Sequence, residues 1–155
     1  MKQFPISIIE ALILLFTAWN ARSLIDAWDG TLYIQFARVA FMISLIPLMG
    51  FYAFRKSDEQ TNVPFLFLAI IASTVGMLGS MNAFKYLGFA LALSGLTPLS
   101  MWNFLWFVSM ASWMPAFGYF LSVLEPHTVM FLRLLISVIG ALSSCFGMWY
   151  RKESL

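Results

Sequence analysis

Charged residues are scarce in this chain of 155 residues. Asp, Glu, Lys and Arg make up 10% of the sequence, while hydrophobic residues make up 61%. A water-soluble domain carries about 25% charged residues, because charge is what covers its surface. The apolar residues also come in long runs rather than in amphipathic stripes, so we expect lipid to surround most of the chain. The same scarcity removes most of the side chains that carry out chemistry.

Cysteine and histidine are almost absent. The sequence contains one of each, Cys145 and His127. A lone cysteine forms no disulfide within the chain and no multi-cysteine zinc or iron–sulfur site, and a lone histidine excludes a bis-histidine haem site built by this chain alone. The sequence also lacks a nucleotide-binding glycine loop, a zinc-protease motif and a serine nucleophile elbow. We therefore predict no catalytic residue and no metal site, and we expect that the protein is not an enzyme.

A strong charge of one sign and a linker between domains are missing as well. The net charge of +2 is small and its residues are scattered, which excludes a nucleic-acid-binding surface. No stretch rich in Gly, Ser or Pro separates two domains, and the strongly polar stretch at 55–62 is only a loop. We therefore predict a single integral-membrane helical domain over residues 1–155.

The apolar runs predict an all-α, polytopic bundle of transmembrane helices. A helix that crosses the hydrocarbon core needs ~20 mainly apolar residues. Because Pro98 breaks the long apolar stretch from 84 to 124, we predict six spans rather than five or four. An arrangement with four spans would treat that stretch as one kinked helix and the first segment as interfacial. The six predicted spans are 4–21, 31–54, 63–81, 84–98, 99–115 and 127–149.

The few charges are sorted by the six-span arrangement. Five basic residues outside the spans fall on one side of the membrane: Lys2, Arg55, Lys56, Arg151 and Lys152. The acidic residues Asp26, Asp29 and Glu125 fall on the other side. The positive-inside rule then places both termini in the cytoplasm. We predict a protein of the bacterial inner (plasma) membrane.

Two arginines lie within the predicted spans, where a charged residue costs about 2.5–3.5 kcal/mol on insertion scales. Arg38 and Arg133 both lie ~9–11 Å below the outer surface at 1.5 Å per residue, and Glu125, His127 and Asp29 lie just above them. The two arginines with Glu125 and His127 are a candidate site for an anionic headgroup, a carboxylate or the acidic residue of a partner. The alternative is that each arginine extends outward to water or phosphate.

Other residues carry weaker signals of the same kind. Glu10, in the first span, suits a proton relay or a partner's basic residue, or else stays wet at the inner interface. Trp102, Trp106 and Trp113 share one face of the fifth span, which suits contact with a pigment, a quinone or lipid, or packing in the bundle core. No cofactor follows with certainty from these residues.

Small residues in the third and last spans allow close helix contacts: Gly76, Gly79, Ser80, Gly140, Ser144 and Gly147.

The order of several short sequences resembles that of a known membrane family. They are FYAFRK at 51–56, KYLGFALAL at 85–93, FLW at 104–106 and SWMP at 112–115. Across about 31–140 the chain resembles the membrane region of the exosortase/archaeosortase family, polytopic enzymes thought to process sorting signals on exported proteins. That family uses a cysteine, an arginine and a histidine downstream of these helices. The resemblance therefore implies a truncated or non-catalytic relative, and no catalytic residue is carried over.

Three functions follow as alternatives. The first is a non-catalytic accessory subunit or scaffold of a larger membrane complex, which contacts the bilayer and other membrane subunits but no nucleic acid. The second is a truncated exosortase-like protein linked to protein sorting or export. The third is a small transporter or membrane enzyme with an outer-leaflet anion pocket at Arg38 and Arg133. A transporter should contain broken helices at mid-membrane, and the Thr97–Pro98 break lies too near the inner surface to fit well.

Overall fold

The fold is helical throughout the part of the chain that the computed structural model describes, residues 7–30, 34, 36–54, 61–97 and 101–153. This confirms the predicted all-α class. A 3₁₀ turn at Ala111–Trp113 lies between the sixth and seventh α-helices. The eight α-helices of the described residues are α1 (Ile8–Asn20), α2 (Ser23–Ala27), α3 (Ala37–Phe54), α4 (Val63–Leu78), α5 (Asn82–Gly95), α6 (Met101–Met110), α7 (Pro115–Phe120) and α8 (Pro126–Glu153).

One described helix is long and apolar enough to cross a membrane. It is the part of α8 from Pro126 to Gly147, 22 residues with a mean hydropathy of 2.1. This supports the predicted membrane association. Four shorter stretches are also apolar and helical: Ile8–Asn20, Ala37–Phe51, Val63–Leu78 and Phe104–Trp113. The number of membrane crossings therefore stays a prediction, and so do the cytoplasmic termini, since Lys2, Arg55 and Lys56 lie outside the described residues.

The first helix begins at a capping box that explains Glu10. The Glu10 backbone N–H donates to the Ser7 hydroxyl at 3.3 Å, and the Glu10 carboxylate accepts from the Ser7 backbone N–H at 2.9 Å. These reciprocal bonds satisfy two backbone donors that an α-helix leaves unpaired at its start. The Glu10 side chain is thus held at the helix start and is only 8% exposed. The Ser-x-x-Glu spacing at 7–10 is the sequence signature of this box.

The chain forms two compact units. The first comprises Met1–Arg22 and Leu48–Ser100, and the second comprises Ser23–Pro47 and Met101–Leu155. The change from one unit to the other falls within α3, directly after Pro47. Each unit is therefore assembled from two separate parts of the sequence.

The first unit is built on a tight antiparallel hairpin of α4 and α5. A Cβ atom added to Gly76 would lie 2.7 Å from the Lys85 backbone nitrogen, and one added to Gly88 would lie 2.9 Å from that of Ser73. Such spacing requires glycine, because the two backbones are almost in contact. Helix α1 packs against both helices, and the Asn20 side-chain amide donates to the Ser73 hydroxyl at 3.1 Å. Gly79 and Ser80 form the hairpin turn instead of a packing face.

The second unit is built on the antiparallel pair of α6 and α8. A side chain on Gly140 would overlap with Ser109, and one on Gly147 would overlap with Trp102. Between these two contacts, Trp106 is fully buried and its indole N–H donates to the Ser44 carbonyl at 2.8 Å. This bond joins α6 to the first part of α3. The glycines of α8 thus allow close contact with α6.

Candidate functional site

The helix that packs along α8 is broken at 111–115. Helix α6 ends at Met110, the 3₁₀ turn follows, and Met114 is extended with φ −69° and ψ 141°. Helix α7 then begins at Pro115. Proline has no backbone N–H to donate to the preceding turn and forces the residue before it out of the helical region. We call residues 111–115 the helix break, and it leaves backbone carbonyls that need donors from elsewhere.

Arg133 supplies the first of these donors. Its Nη1 donates to the Ser112 carbonyl, and its side chain is 0% exposed. The Ser137 hydroxyl donates to the Arg133 carbonyl at 2.8 Å and lies 2.7 Å from the Ser112 hydroxyl, which completes a buried polar cluster. The Arg133 side chain is enclosed within the unit instead of extending outward to water or phosphate. Since Arg133 is the eighth residue of α8, the cluster lies ~10 Å along the helix from its start.

Trp28 supplies the second donor. Its indole N–H donates to the Trp113 carbonyl at 2.9 Å, so the carbonyls of two consecutive residues of the helix break are satisfied from other elements. The Trp113 ring, itself fully buried, makes edge contacts with Trp28 and Phe41 at centroid distances of 6.4 and 5.4 Å. On the other side, the Arg133 guanidinium carbon lies 5.2 Å from the centre of the Phe117 ring, a cation–π distance. Aromatic rings therefore contact both Trp113 of the helix break and Arg133.

Arg38 lies in a different setting, at the start of α3. Its Nη2 donates to Asp29 Oδ1 at 2.5 Å, and the side chains of Arg38 and Asp29 are 54% and 65% exposed. The pair lies at a shallow cavity of about 290 Å³. The described residues that line this cavity are Trp28, Asp29, Ile34, Phe36, Ala37, Arg38 and Val39. We refer to it as the α2–α3 cavity.

The four residues of the predicted anion pocket thus have different surroundings. Arg133 is buried against Ser112, and Arg38 is exposed and paired with Asp29. Glu125 and His127 are exposed at the beginning of α8. A shared pocket at the two arginines stays a prediction.

The predicted tryptophan stripe divides into two settings. Trp106 and Trp113 are fully buried, which favours core packing for both. Trp102 is partly exposed and begins a row of rings, since it contacts Phe146 at 5.4 Å and Phe146 contacts Trp149 at 6.0 Å. Of the three tryptophans in the stripe, Trp102 alone has an accessible ring surface for a pigment, quinone or lipid.

Ser112, Ser137 and Trp28 belong to the site although their sequence positions alone did not mark them. A signal for Ser137 exists, since it lies four residues after Arg133 and therefore on the same helix face. The predicted end of the fifth span, at 115, coincides with the end of the break. The roles of Trp28 and Ser112 have no such local signal, because their partners are 85 and 21 residues away in the chain.

The described residues include no group of three or more His, Cys, Asp or Glu side chains that could hold a metal ion. Comparison with models of known protein families, with curated proteins and with solved structures found no match. The resemblance to the exosortase/archaeosortase family stays a prediction from the sequence.

Proposed function

We propose that this chain is a non-catalytic, multi-pass integral membrane protein that acts as a small accessory subunit or scaffold of a larger membrane complex. The observation that carries the proposal is an inverted distribution of side chains. Long apolar side chains are exposed on several helices: Ile8, Leu15, Met42, Phe67, Leu78, Phe120, Phe131 and Leu142. Polar side chains are buried instead: Thr17, Ser44, Ser73, Ser109, Ser112, Arg133, Ser137 and Ser144.

Lipid is the solvent that this distribution suits. Single exposed apolar residues are normal in soluble proteins. A surface of long apolar side chains over an interior of polar ones is not, because water would destabilise such a surface. Between helices in lipid, small residues and hydroxyl groups make the contacts. The inversion therefore supports several crossings by the described helices, including those shorter than α8.

The buried hydroxyls support a structural role more than a catalytic one. Thr17, Ser94 and Ser109 each donate to a backbone carbonyl three or four residues earlier in the same helix, at 2.6–3.0 Å. This is the usual bond of a serine or threonine in an apolar setting. Hydroxyls used in this way are satisfied within their own helix and leave partner binding to the apolar surface.

Cysteine labelling tests the membrane topology. In a Cys145→Ser background, single cysteines replace Asp26, Ser80 or Ser122, which are exposed. Asp26 and Ser122 lie between predicted spans, and Ser80 lies at the outer end of the third. Six spans place all three on the outer side, where a membrane-impermeant maleimide added to intact cells labels them, while a cysteine at Asp58 reacts only after lysis. Labelling of position 122 from the opposite side to position 80 would establish four spans instead.

Native electrophoresis tests the accessory role. Membranes from the cells that produce the protein naturally are solubilised in mild detergent, and the chain is detected by antibody. We expect a band much larger than the 17.6 kDa chain, with a constant ratio to its partners after a second purification. Migration as a lone, stable, ligand-free monomer in every mild detergent would contradict the accessory role.

The helix break favours a second candidate function, a small transporter with an anion pocket at Arg38 and Arg133. Discontinuous helices near the membrane centre are typical of transporter binding sites. The helix break contacts Arg133, and Arg133 belongs to the segment of α8 that is long enough to cross a membrane. Cysteines at positions 38 and 133, in the Cys145→Ser background, test it. The pocket requires that a short bifunctional reagent joins them, and absence of the cross-link in lipid and in detergent would exclude it.

A further inference from the structure

We propose that the α2–α3 cavity is a binding site for a zwitterionic phospholipid headgroup of the phosphoethanolamine class. The proposal rests on the membrane location proposed above and adds a ligand to it. Its basis is an ion pair and apolar walls in one cavity, continued by an exposed apolar stripe on α3.

The size of the cavity suits a headgroup. Its volume of about 290 Å³ is near the lower end of the range for ligand pockets. Apart from the Arg38–Asp29 pair, its walls are mainly apolar, including the buried Ile34 and the half-exposed Phe36 and Val39. A cavity of this kind accepts a small polar group that is attached to an apolar chain.

The charges in the cavity identify the type of headgroup. The Arg38 guanidinium has five N–H donors in a planar fork, and one nitrogen contacts Asp29, so others remain for a phosphate. The Asp29 carboxylate retains acceptor sites for an ammonium group, which carries three N–H donors. A purely anionic headgroup would be repelled by Asp29, and a trimethylammonium group has no N–H to donate. A phosphate joined to a primary ammonium matches both charges.

Helix α3 continues from the cavity as a surface for the acyl chain. Val39, Met42 and Ile46 are all exposed, at 44%, 67% and 53%. Their spacing of three and four residues places them on one face of the helix. A lipid whose phosphate contacts Arg38 could therefore lay its chain along this face.

Phe36 adds a strained position at the cavity wall. Its φ of 63° is in the left-handed region, which costs about 1–2 kcal/mol for a residue with a side chain. The ring is nevertheless 45% exposed, so burial of the ring does not account for the conformation. Strained residues of this type cluster at ligand-binding positions, and a headgroup in the cavity would cover the Phe36 ring.

Native mass spectrometry of the protein from nanodiscs tests the proposal. The discs contain equal amounts of phosphatidylethanolamine, phosphatidylglycerol and phosphatidylcholine of the same acyl chains. We expect the wild-type protein to retain phosphatidylethanolamine about two- to fivefold over the other two, the range that partly exposed charge pairs support. Arg38→Gln should abolish the preference, and Asp29→Asn should change it to phosphatidylglycerol, because an unopposed arginine then remains.

Two matched variants separate the site from a general effect of charge. Asp26→Asn removes the same charge from an exposed position three residues before Asp29 and should leave the preference unchanged. Asp29→Glu retains the carboxylate and should retain the preference. Equal retention of the three lipids by the wild-type protein would overturn the headgroup site while leaving the accessory role intact, and so would an Asp26→Asn shift as large as that of Asp29→Asn. Failure of the wild-type protein to enter the discs would overturn both proposals.

Discussion

In the first unit the backbones of α4 and α5 are almost in contact, whereas in the second unit side chains donate hydrogen bonds to the backbone carbonyls that the helix break leaves without a donor in their own helix. Gly76 and Gly88 allow α4 and α5 to approach until no Cβ fits between them. In the second unit Arg133 and Trp28 donate to the carbonyls of Ser112 and Trp113. Both arrangements are built from similar apolar residues, so hydrophobicity does not distinguish them. What differs is whether the backbone hydrogen bonds stay within each helix or must be completed by a side chain.

Gly88→Leu should have the largest effect, because it acts on the backbone contact of the first unit. The added side chain meets the Ser73 nitrogen and the Ala69 carbonyl oxygen at about 3 Å, and neither can move without separating α4 from α5. We expect a loss of about 3 kcal/mol in the free energy of unfolding, the upper range for overpacking. Unfolding by SDS, followed by circular dichroism, measures it. The control Ala83→Leu adds a similar volume at an exposed position of α5 and should change little.

Arg133→Met tests the second arrangement. Methionine fills similar space but donates no hydrogen bond, so the buried Ser112 carbonyl loses its donor. A buried polar group without a partner costs about 1–3 kcal/mol, and we expect a loss of about 2 kcal/mol in the same assay. Arg38→Met is the control, since an exposed ion pair contributes at most about 1 kcal/mol. Equal losses for the two variants would mean that the helix break does not depend on Arg133.

Trp106→Phe sharpens the comparison within α6. The variant keeps an aromatic ring but loses the N–H that bonds the Ser44 carbonyl, and we expect a loss of about 1 kcal/mol. Trp102→Phe, on the partly exposed part of the same helix, should cost less. Tryptophan fluorescence thermal unfolding compares the two variants. A larger loss at Trp102 would contradict the assignment of Trp106 to the core.

Glu10 substitutions should have the smallest effect and decide between two roles. Glutamine can replace glutamate in a capping box, so Glu10→Gln should leave stability unchanged, while Glu10→Ala should lose about 0.5–1 kcal/mol. A proton relay predicts instead that both variants lose activity in a functional assay, because neither glutamine nor alanine carries a titratable proton. Loss of function in Glu10→Gln with unchanged stability would therefore restore the relay interpretation.

Sequence reasoning reached the helices more readily than the site. Apolar runs are local signals, so they predicted a helix at 127–149 and the end of another at 115, close to the observed α8 and helix break. The burial of Arg133 depends instead on the rotation of α8 about its axis relative to α6, and no local sequence pattern predicts that rotation. Glu10 shows the converse, because its Ser-x-x-Glu signature was present but its charge within an apolar run suggested chemistry.

The helix break also has a consequence for biogenesis. Ribosomes synthesise Trp28 before the helix break and Arg133 after it. The Trp113 carbonyl can therefore accept its hydrogen bond from Trp28 as soon as α7 emerges, whereas the Ser112 carbonyl can accept one from Arg133 only after α8 is made. In the proposed multi-pass arrangement, the segment from α6 to α7 carries an uncompensated polar group until then and enters lipid at a disadvantage. Release of this segment from the insertion machinery should therefore be delayed until the last helix arrives, and a nascent chain stalled before residue 133 should remain cross-linkable to that machinery.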